Sequence, residues 1–132
     1  MSSGLVQYIV VRGYLLAALR WPVGAVIAQA CHAATAVMWT HREDPQVVAY
    51  AADLDRMHKI VLEVPDEAGL RRLSAELEEN GCAHKLWVEQ PENEPTCLAT
   101  KPHPKAEVQR LFKRLKLYKG PALAASAATE NK

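Results

Sequence analysis

Aromatic residues and cysteines are scarce in this chain of 132 residues, which has one phenylalanine, three tryptophans, four tyrosines and three cysteines. Because aromatic side chains make up only 6 % of the residues, Val, Leu and Ala must fill most of the core. Cys31, Cys82 and Cys97 are odd in number and lack the paired spacing of a zinc site. This pattern indicates reduced thiols of a cytoplasmic protein and argues against a disulfide framework.

The common motifs of cofactor, metal and nucleophile sites are also absent. The sequence has no glycine-rich phosphate loop, no zinc-type pair of Cys or His, and no serine-centred nucleophile elbow. We therefore expect no cofactor and no bound metal. The apolar run over 22–39 is about long enough to span a bilayer, but it is rich in alanine and contains Gln29 and His32. We expect no membrane span, no targeting segment before the first strand, and a cytoplasmic location.

Charge is unevenly distributed along the chain, although the formal net charge is only +1. Residues 1–42 contain no acidic side chain, residues 43–94 carry a net charge of −8, and residues 101–119 carry +6. If the fold brings the two basic ends together, one face could bind a polyanion. The alternative is that these cations only solubilise the surface. The candidate cations are Arg12, Arg20, Lys101, Lys105, Arg110, Lys113 and Arg114.

Hydrophobic periodicity predicts elements in the order β-α-α-β-α-β-β-α. Strands are expected at 5–11, 58–64, 84–90 and 96–101, and helices at 22–40, 45–54, 65–81 and from Pro104 onward. The last helix would pack through Val108, Leu111, Phe112 and Leu115. The order predicts one α/β domain over 1–119, a three-layer α/β/α sandwich around a mixed sheet whose last two strands form an antiparallel hairpin. A disordered alanine-rich tail is expected over 120–132.

Two segments concentrate polar chemistry. Gln29 and His32 lie three residues apart on one face of an otherwise apolar helix, so they are either polar residues satisfied within the core or the floor of a cleft. A histidine near its ordinary pKa could act as a general base there. The segment "WVEQPENEPT" crowds Glu89 and Thr96 at one end of the predicted hairpin. It is either a solvated turn or a second part of the same site.

These two segments carry a resemblance to a known family. "WPVGAVIAQACHAAT" and "LWVEQPENEPTCLATKPHP" resemble the type-two peptidyl-tRNA hydrolases of archaea and eukaryotes, over about Val6 to Tyr118. The resemblance implies a mixed four-stranded sheet flanked by helices. It also implies metal-independent hydrolysis of the ester that joins a peptide to the terminal ribose of tRNA.

The resemblance also implies roles for particular residues. His32, Gln29 and Thr96 would line the cleft, and Glu89 would take the place of the family's acidic residue. The sequence departs from the family at the start of the helix, because Val23 and Ala25 flank Gly24 where the family has lysines. Losing such a cation in an active site can slow a reaction on the order of 100- to 1000-fold.

Three hypotheses for function follow. In the first, His32 activates a water, Glu89 orients His32, Gln29 and Thr96 donate hydrogen bonds to the substrate, and the basic residues bind tRNA phosphates. In the second, an inactive relative binds tRNA or a protein, such as a ubiquitin-like partner, through the same fold. A homodimer is possible in either case. A third hypothesis, with Cys31 as a nucleophile beside His32, is weakened because adjacent helical residues point about 100° apart.

Overall fold

The computed structural model describes residues 4–120. Within that range the chain forms six strands, five helices and two short 3₁₀ helices. The strands are β1 (Leu5–Arg12), β2 (Lys59–Val64), β3 (His84–Glu89), β4 (Glu94–Thr100), β5 (His103–Pro104) and β6 (Lys116–Leu117). The helices are α1 (Tyr14–Ala17), α2 (Val23–Thr40), α3 (Pro45–Ala51), α4 (Glu67–Glu79) and α5 (Lys105–Val108), and the 3₁₀ helices span Leu54–Arg56 and Gln109–Phe112.

The six strands form one mixed sheet in the order β3-β4-β1-β2-β6, and β5 pairs with β1 beside this path. β1 is parallel to β2, with Ile9 opposite Val61, and antiparallel to β4, with Val10 opposite Leu98. β3 and β4 form the antiparallel hairpin that the sequence predicts. The mixed α/β architecture is therefore confirmed. The whole length of β1 is buried, which explains why its sequence is apolar apart from Gln7 and Arg12.

The sheet is covered on both faces because side chains of β1 alternate between two cores. On what we call the α4 face, β1 contributes Val6, Tyr8 and Val10, and α4 contributes Leu70, Leu73 and Leu77. On the α2 face, β1 contributes Ile9 and Val11, and α2 contributes Val26, Ala33 and Val37. This alternation follows from the two-residue period of a strand.

Local sequence signals fix the starts of two helices. Asp44 caps α3 by accepting the backbone N–H of Gln46 at 2.8 Å, and Pro45 occupies the first helical position, where the sequence predicts that this helix begins. Asp66 caps α4 by accepting the N–H of Gly69 at 2.9 Å. These caps set the first residues of α3, which precedes β2 in the chain, and of α4, which follows it.

Two sequence-based expectations are wrong. The sheet has six strands and not four, because β5 and β6 are two residues each, too short to produce a periodic pattern. The predicted last helix is only the four residues of α5, followed by a 3₁₀ helix. Its packing residues Val108, Leu111 and Phe112 are nevertheless buried, and the chain turns after Phe112 so that β6 can pair with β2. The predicted tail lies outside the described residues from position 121 onward.

Among the described residues, α2 alone is long and apolar enough to cross a membrane, with a mean hydropathy of 1.3 over its 18 residues. A core helix of a soluble protein passes the same test. Val26, Ala33 and Val37 on one side of α2 are buried against the sheet. The buried side of this helix is therefore used by the fold itself.

Candidate active site

Gln29 faces the sheet from the middle of α2 and is only 2 % exposed. Its backbone carbonyl accepts the thiol of Cys97 at 3.1 Å, which holds α2 against β4. Burying an amide costs free energy unless its donors and its acceptor are hydrogen-bonded, so the side chain of Gln29 needs hydrogen-bond partners. Those partners come from the hairpin of β3 and β4.

A chain of hydrogen bonds runs from β4 through Gln29 to Glu89. The buried hydroxyl of Thr96 donates to Oε1 of Gln29 at 3.0 Å, and Nε2 of Gln29 donates to Oε2 of Glu89 at 3.3 Å. The other carboxylate oxygen of Glu89 accepts the indole N–H of Trp87 at 3.2 Å. Glu89 is therefore held by two donors, one on each oxygen, while remaining partly exposed.

His32 is exposed and contacts the ring of the same indole. Its ring stacks on Trp87 with 4.7 Å between centroids and 21° between planes. Trp87 thus contacts both His32 and Glu89, and it brings an imidazole and a carboxylate to one place on the α2 face. The structure joins all four predicted site residues, Gln29, His32, Glu89 and Thr96, through direct contacts or through this tryptophan.

Sequence reasoning missed Trp87, although a signal was present. Residues two apart on a strand point to the same side, so Trp87 and Glu89 must share a face of β3. In addition, a buried indole N–H usually finds an acceptor. These two facts together could have predicted the bond between them.

Arg12 holds the hairpin that carries Glu89 and Thr96 close to its turn. This guanidinium donates to Oε1 of Glu94 at 2.9 Å and to the carbonyl of Pro95 at 2.8 Å. The intervening turn passes through Asn93, whose φ of 56° lies in the left-handed region that asparagine tolerates. Arg12 is 6 % exposed and acts here as a structural residue of the hairpin.

Comparison with known proteins identifies the family. The family model described as peptidyl-tRNA hydrolase PTH2 matches residues 5–118. This chain belongs to the PTH2 family. It is 51 % identical over 116 residues to the human protein named "Putative peptidyl-tRNA hydrolase PTRHD1", and 49 % identical over 116 residues to the mouse protein of the same name. In both cases the match covers 87 % of this chain and 83 % of the relative.

Within the PTH2 fold of this chain, the candidate tRNA-binding cations are divided between two environments. Lys101 is 8 % exposed, and its ammonium bonds to Gln46 and lies 3.5 Å from Asp44, so it is engaged within the protein, as Arg12 is. The exposed cations are Arg20, before α2, and Lys105, Arg110, Lys113 and Arg114, in and after α5.

Most of the exposed cations lie on the α4 face. Lys105, Arg110 and Lys113 surround a cavity of about 500 Å³ whose walls include Tyr8 and Phe112. Tyr8 and Phe112 belong to the core of the α4 face, whereas Gln29 packs on the α2 face. The basic surface and the candidate catalytic cluster are thus on different faces of the sheet.

The start of α2 has no cation at the two positions where the PTH2 resemblance expects lysines. Val23 is 61 % exposed, and Ala25 is partly exposed. Side chains at both positions therefore have access to solvent. The described residues also contain no group of three or more His, Cys, Asp or Glu that could hold a metal ion.

The three cysteines do not contribute a nucleophile to the cluster. Burial raises the pKa of Cys97 to about 12 and that of Cys82 to about 11, so both remain protonated thiols at neutral pH. Cys31 is exposed, but it lines a groove between α2 and α3, on a different side of α2 from Gln29. This arrangement gives no support to the hypothesis of a nucleophilic Cys31.

Proposed function

We propose that this protein is a peptidyl-tRNA hydrolase that cleaves the ester between a peptidyl or N-blocked aminoacyl group and the terminal ribose of tRNA. The observation that carries the proposal is the shared contact of His32 and Glu89 with Trp87, in a chain of the PTH2 family. These contacts hold an exposed histidine base and an oriented carboxylate against the same indole, an arrangement that suits attack by water on an ester.

In the proposed reaction, a water molecule attacks the ester carbonyl carbon while His32 accepts one of its protons. The tetrahedral intermediate then expels the ribose oxygen, which takes that proton from His32. The products are free tRNA and a peptide with a terminal carboxylate. The negative charge of Glu89 stabilises the transient imidazolium of His32, because both groups lie against the same indole. The reaction uses neither a metal nor a cofactor.

Gln29 and Thr96 act as positioning residues in this proposal. The single hydroxyl proton of Thr96 is donated to Gln29, and one N–H of Gln29 is donated to Glu89. Since both side chains are buried, they orient the carboxylate and do not contact the substrate. This differs from the sequence-based hypothesis, in which both would donate to the substrate.

We propose that the exposed cations bind tRNA phosphates. We also propose that the protein acts in the cytoplasm. Lys105, Arg110 and Lys113 support this role because they are exposed around one cavity without an acidic lining residue. Phosphate contacts of this kind make affinity fall steeply with salt. A ubiquitin-like or other protein partner and a homodimer stay predictions.

The decisive experiment is single-turnover release of a labelled N-blocked aminoacyl group from tRNA. We expect His32→Ala to lower the rate about 100-fold or more, because a general base contributes at least that much. His58→Ala, which changes an exposed histidine beside β2, is the matched control and should retain the rate. Equal rates for the wild type and His32→Ala would contradict the proposed role of His32.

A second candidate function is binding of tRNA without hydrolysis, which the apolar Val23 and Ala25 favour. The single-turnover assay distinguishes hydrolysis from binding without hydrolysis. If the natural protein binds tRNA in a salt-dependent way but releases no aminoacyl group, it is a binding module. A large gain of activity in Ala25→Lys would then identify a site that lost its catalytic cation.

A further inference from the structure

A groove lies between α2 and α3, apart from the hydrogen-bonded cluster. It has a volume of about 810 Å³ and an apolar lining. Its walls include Cys31, Ala34, Met38 and Trp39 of α2, Val48 of α3, and Met57 before β2. None of these residues belongs to the proposed hydrolytic machinery.

The apolar wall extends along most of α2. Val23, Ile27, Cys31, Ala34 and Met38 follow one another at spacings of three or four residues, which places them on one helical face. Val23 is 61 % exposed and Ile27 58 %. With about 1.5 Å of rise per residue, the face is roughly 22 Å long, or about four helical turns.

Large apolar side chains of the groove are open to solvent. Trp39 is 67 % exposed, and Val48 is 54 % exposed on the opposite wall. A contiguous apolar surface of this kind marks an interaction site. Its length and openness fit an amphipathic helix, which would lay its apolar side chains into the groove.

The charges around the groove have one sign. Among its lining residues are Arg42 and Lys59, and none is acidic. Arg42 lies at the end of α2 with its guanidinium carbon 4.3 Å from the centroid of the Trp39 ring. Lys59 lies at the start of β2 and bonds to the buried amide of Gln7.

Nearby acidic side chains do not neutralise these cations. Asp44 caps α3 and lies 3.5 Å from Lys101, and Asp53 pairs with Arg56 at 3.1 Å. Glu43 lines a second cavity that Arg42 also borders, but no ion pair joins Arg42 or Lys59 to an acidic side chain among the described residues. The groove therefore offers an apolar floor with positive charge at its margin.

We propose that this groove binds an amphipathic helix of another protein, with apolar residues on one side and carboxylates flanking them. A second copy of this chain fits the charges poorly. Its α2 has no charged side chain between Arg20 and Arg42, so self-pairing would bring cations to cations and supply no acid from that helix. An acidic partner satisfies both the apolar wall and the cations.

Cys31 offers a direct probe of occupancy. It is the exposed cysteine of the groove, whereas Cys82 and Cys97 are buried. In the folded protein, a thiol-specific reagent should therefore modify Cys31 first. An occupant of the groove should slow that modification, and it should also change the fluorescence of Trp39.

The test uses a synthetic helical peptide with leucines at positions i, i+4, i+7 and i+11 and glutamates on the flanks. The matched control replaces every glutamate with lysine. We expect the acidic peptide to slow labelling of Cys31, and the basic peptide to do so at least tenfold less effectively. His32→Ala should leave this protection unchanged, because binding in the groove does not depend on hydrolysis.

A pair of surface variants locates the binding. Val48→Asp should weaken the acidic peptide at least tenfold, because it adds a negative charge to the wall of the groove. Leu54→Asp changes an exposed apolar residue that does not line the groove, and it should have no effect. Equal protection by both peptides, no protection by either, or an effect of Leu54→Asp as large as that of Val48→Asp would overturn the proposal. A concentration-dependent dimer that Val48→Asp dissociates would overturn it in favour of a second copy.

Discussion

Thr96 shows how a single buried hydroxyl can orient a partly exposed carboxylate. It donates to Gln29, which in turn donates to Glu89, so the position of the carboxylate depends on a proton two residues away in the hydrogen-bond chain. Threonine and valine have nearly the same shape, but valine has no hydroxyl. The variant Thr96→Val therefore removes the start of the chain with little change in volume.

We expect Thr96→Val to lower kcat for peptidyl-tRNA hydrolysis by about tenfold, equivalent to ~1.4 kcal/mol of transition-state stabilisation. KM should change little, because Thr96 is fully buried. The control is Thr100→Val on the same strand, whose hydroxyl accepts the N–H of Tyr8. Thr100→Val should lower stability and leave kcat unchanged, and an equal loss of kcat in both variants would contradict the positioning role of Thr96.

His103 gives the fold a sensitivity to acid. Burial and the nearby ammonium of Lys101 lower the pKa of His103 below its ordinary value of 6.5. The unfolded chain therefore takes up a proton at His103 before the folded protein does. Below pH 6.5 this difference favours unfolding. The free energy of unfolding therefore decreases until the pH falls below the lowered pKa of His103.

We expect the free energy of unfolding of the wild type to fall between pH 7.5 and pH 5.5, and the fall to be smaller in His103→Gln. Urea denaturation at pH 7.5 and at pH 5.5 measures this change in the free energy of unfolding. His58→Gln, at an exposed position, is the control and should keep the wild-type pH dependence. The same decrease in His103→Gln and in the wild type would show that another group causes it.

At the scale of elements, the strand β3 organises the candidate site through Trp87. The indole supports His32 by stacking and Glu89 by a hydrogen bond, so it couples two side chains that come from different elements. A substitution can separate these two effects. Phenylalanine keeps an aromatic face for stacking but lacks the N–H, whereas leucine lacks both.

We expect kcat to fall about tenfold or more in Trp87→Phe and further in Trp87→Leu, because a hydrogen bond to a charged group contributes about 1.5–3 kcal/mol. KM should change little in both variants, because Trp87 acts through its contacts with His32 and Glu89. Trp39→Phe, at an exposed position on α2, is the control and should leave kcat unchanged. An unchanged kcat in Trp87→Phe would contradict a role for the indole N–H.

At the scale of the whole molecule, the sheet separates the basic surface from the candidate catalytic cluster. Lys113 lies with Lys105 and Arg110 on the α4 face, whereas Gln29 packs on the α2 face. A tRNA bound to both would have to pass around an edge of the sheet. Binding of tRNA and hydrolysis of a short substrate should therefore be separable by substitution.

We expect Lys113→Glu to weaken tRNA binding and to reduce the slope of log affinity against log salt by about 1. The same variant should hydrolyse an N-blocked aminoacyl adenosine at the wild-type rate, because that substrate does not reach the α4 face. Lys85→Glu, at an exposed position on β3, reverses one charge elsewhere and is the control. A slope equally reduced in Lys85→Glu would assign the effect to net charge and not to the basic surface.

Part of the site could be predicted because it depends on local patterns and on the resemblance to a family. Gln29 and His32 interrupt an apolar helix, and Glu89 and Thr96 belong to one hairpin. The order of residues along the chain was therefore enough to indicate each of them as a candidate. The stacking of His32 on Trp87 could not be predicted, because it depends on how α2 packs across β3 and β4. The engagement of Arg12 and Lys101 inside the protein also could not be predicted, since each partner is more than 50 residues distant in sequence.

The sequence by itself determined the four longer strands, the three longer helices, the antiparallel hairpin and the start of α3. These follow from hydrophobic period, turn residues and capping chemistry, which act over a few neighbouring positions. Only the tertiary structure decided the two short strands, the early end of the last helix and the separation of the basic surface from the candidate catalytic cluster. Those features depend on contacts between distant segments, where pairing and burial override local preference.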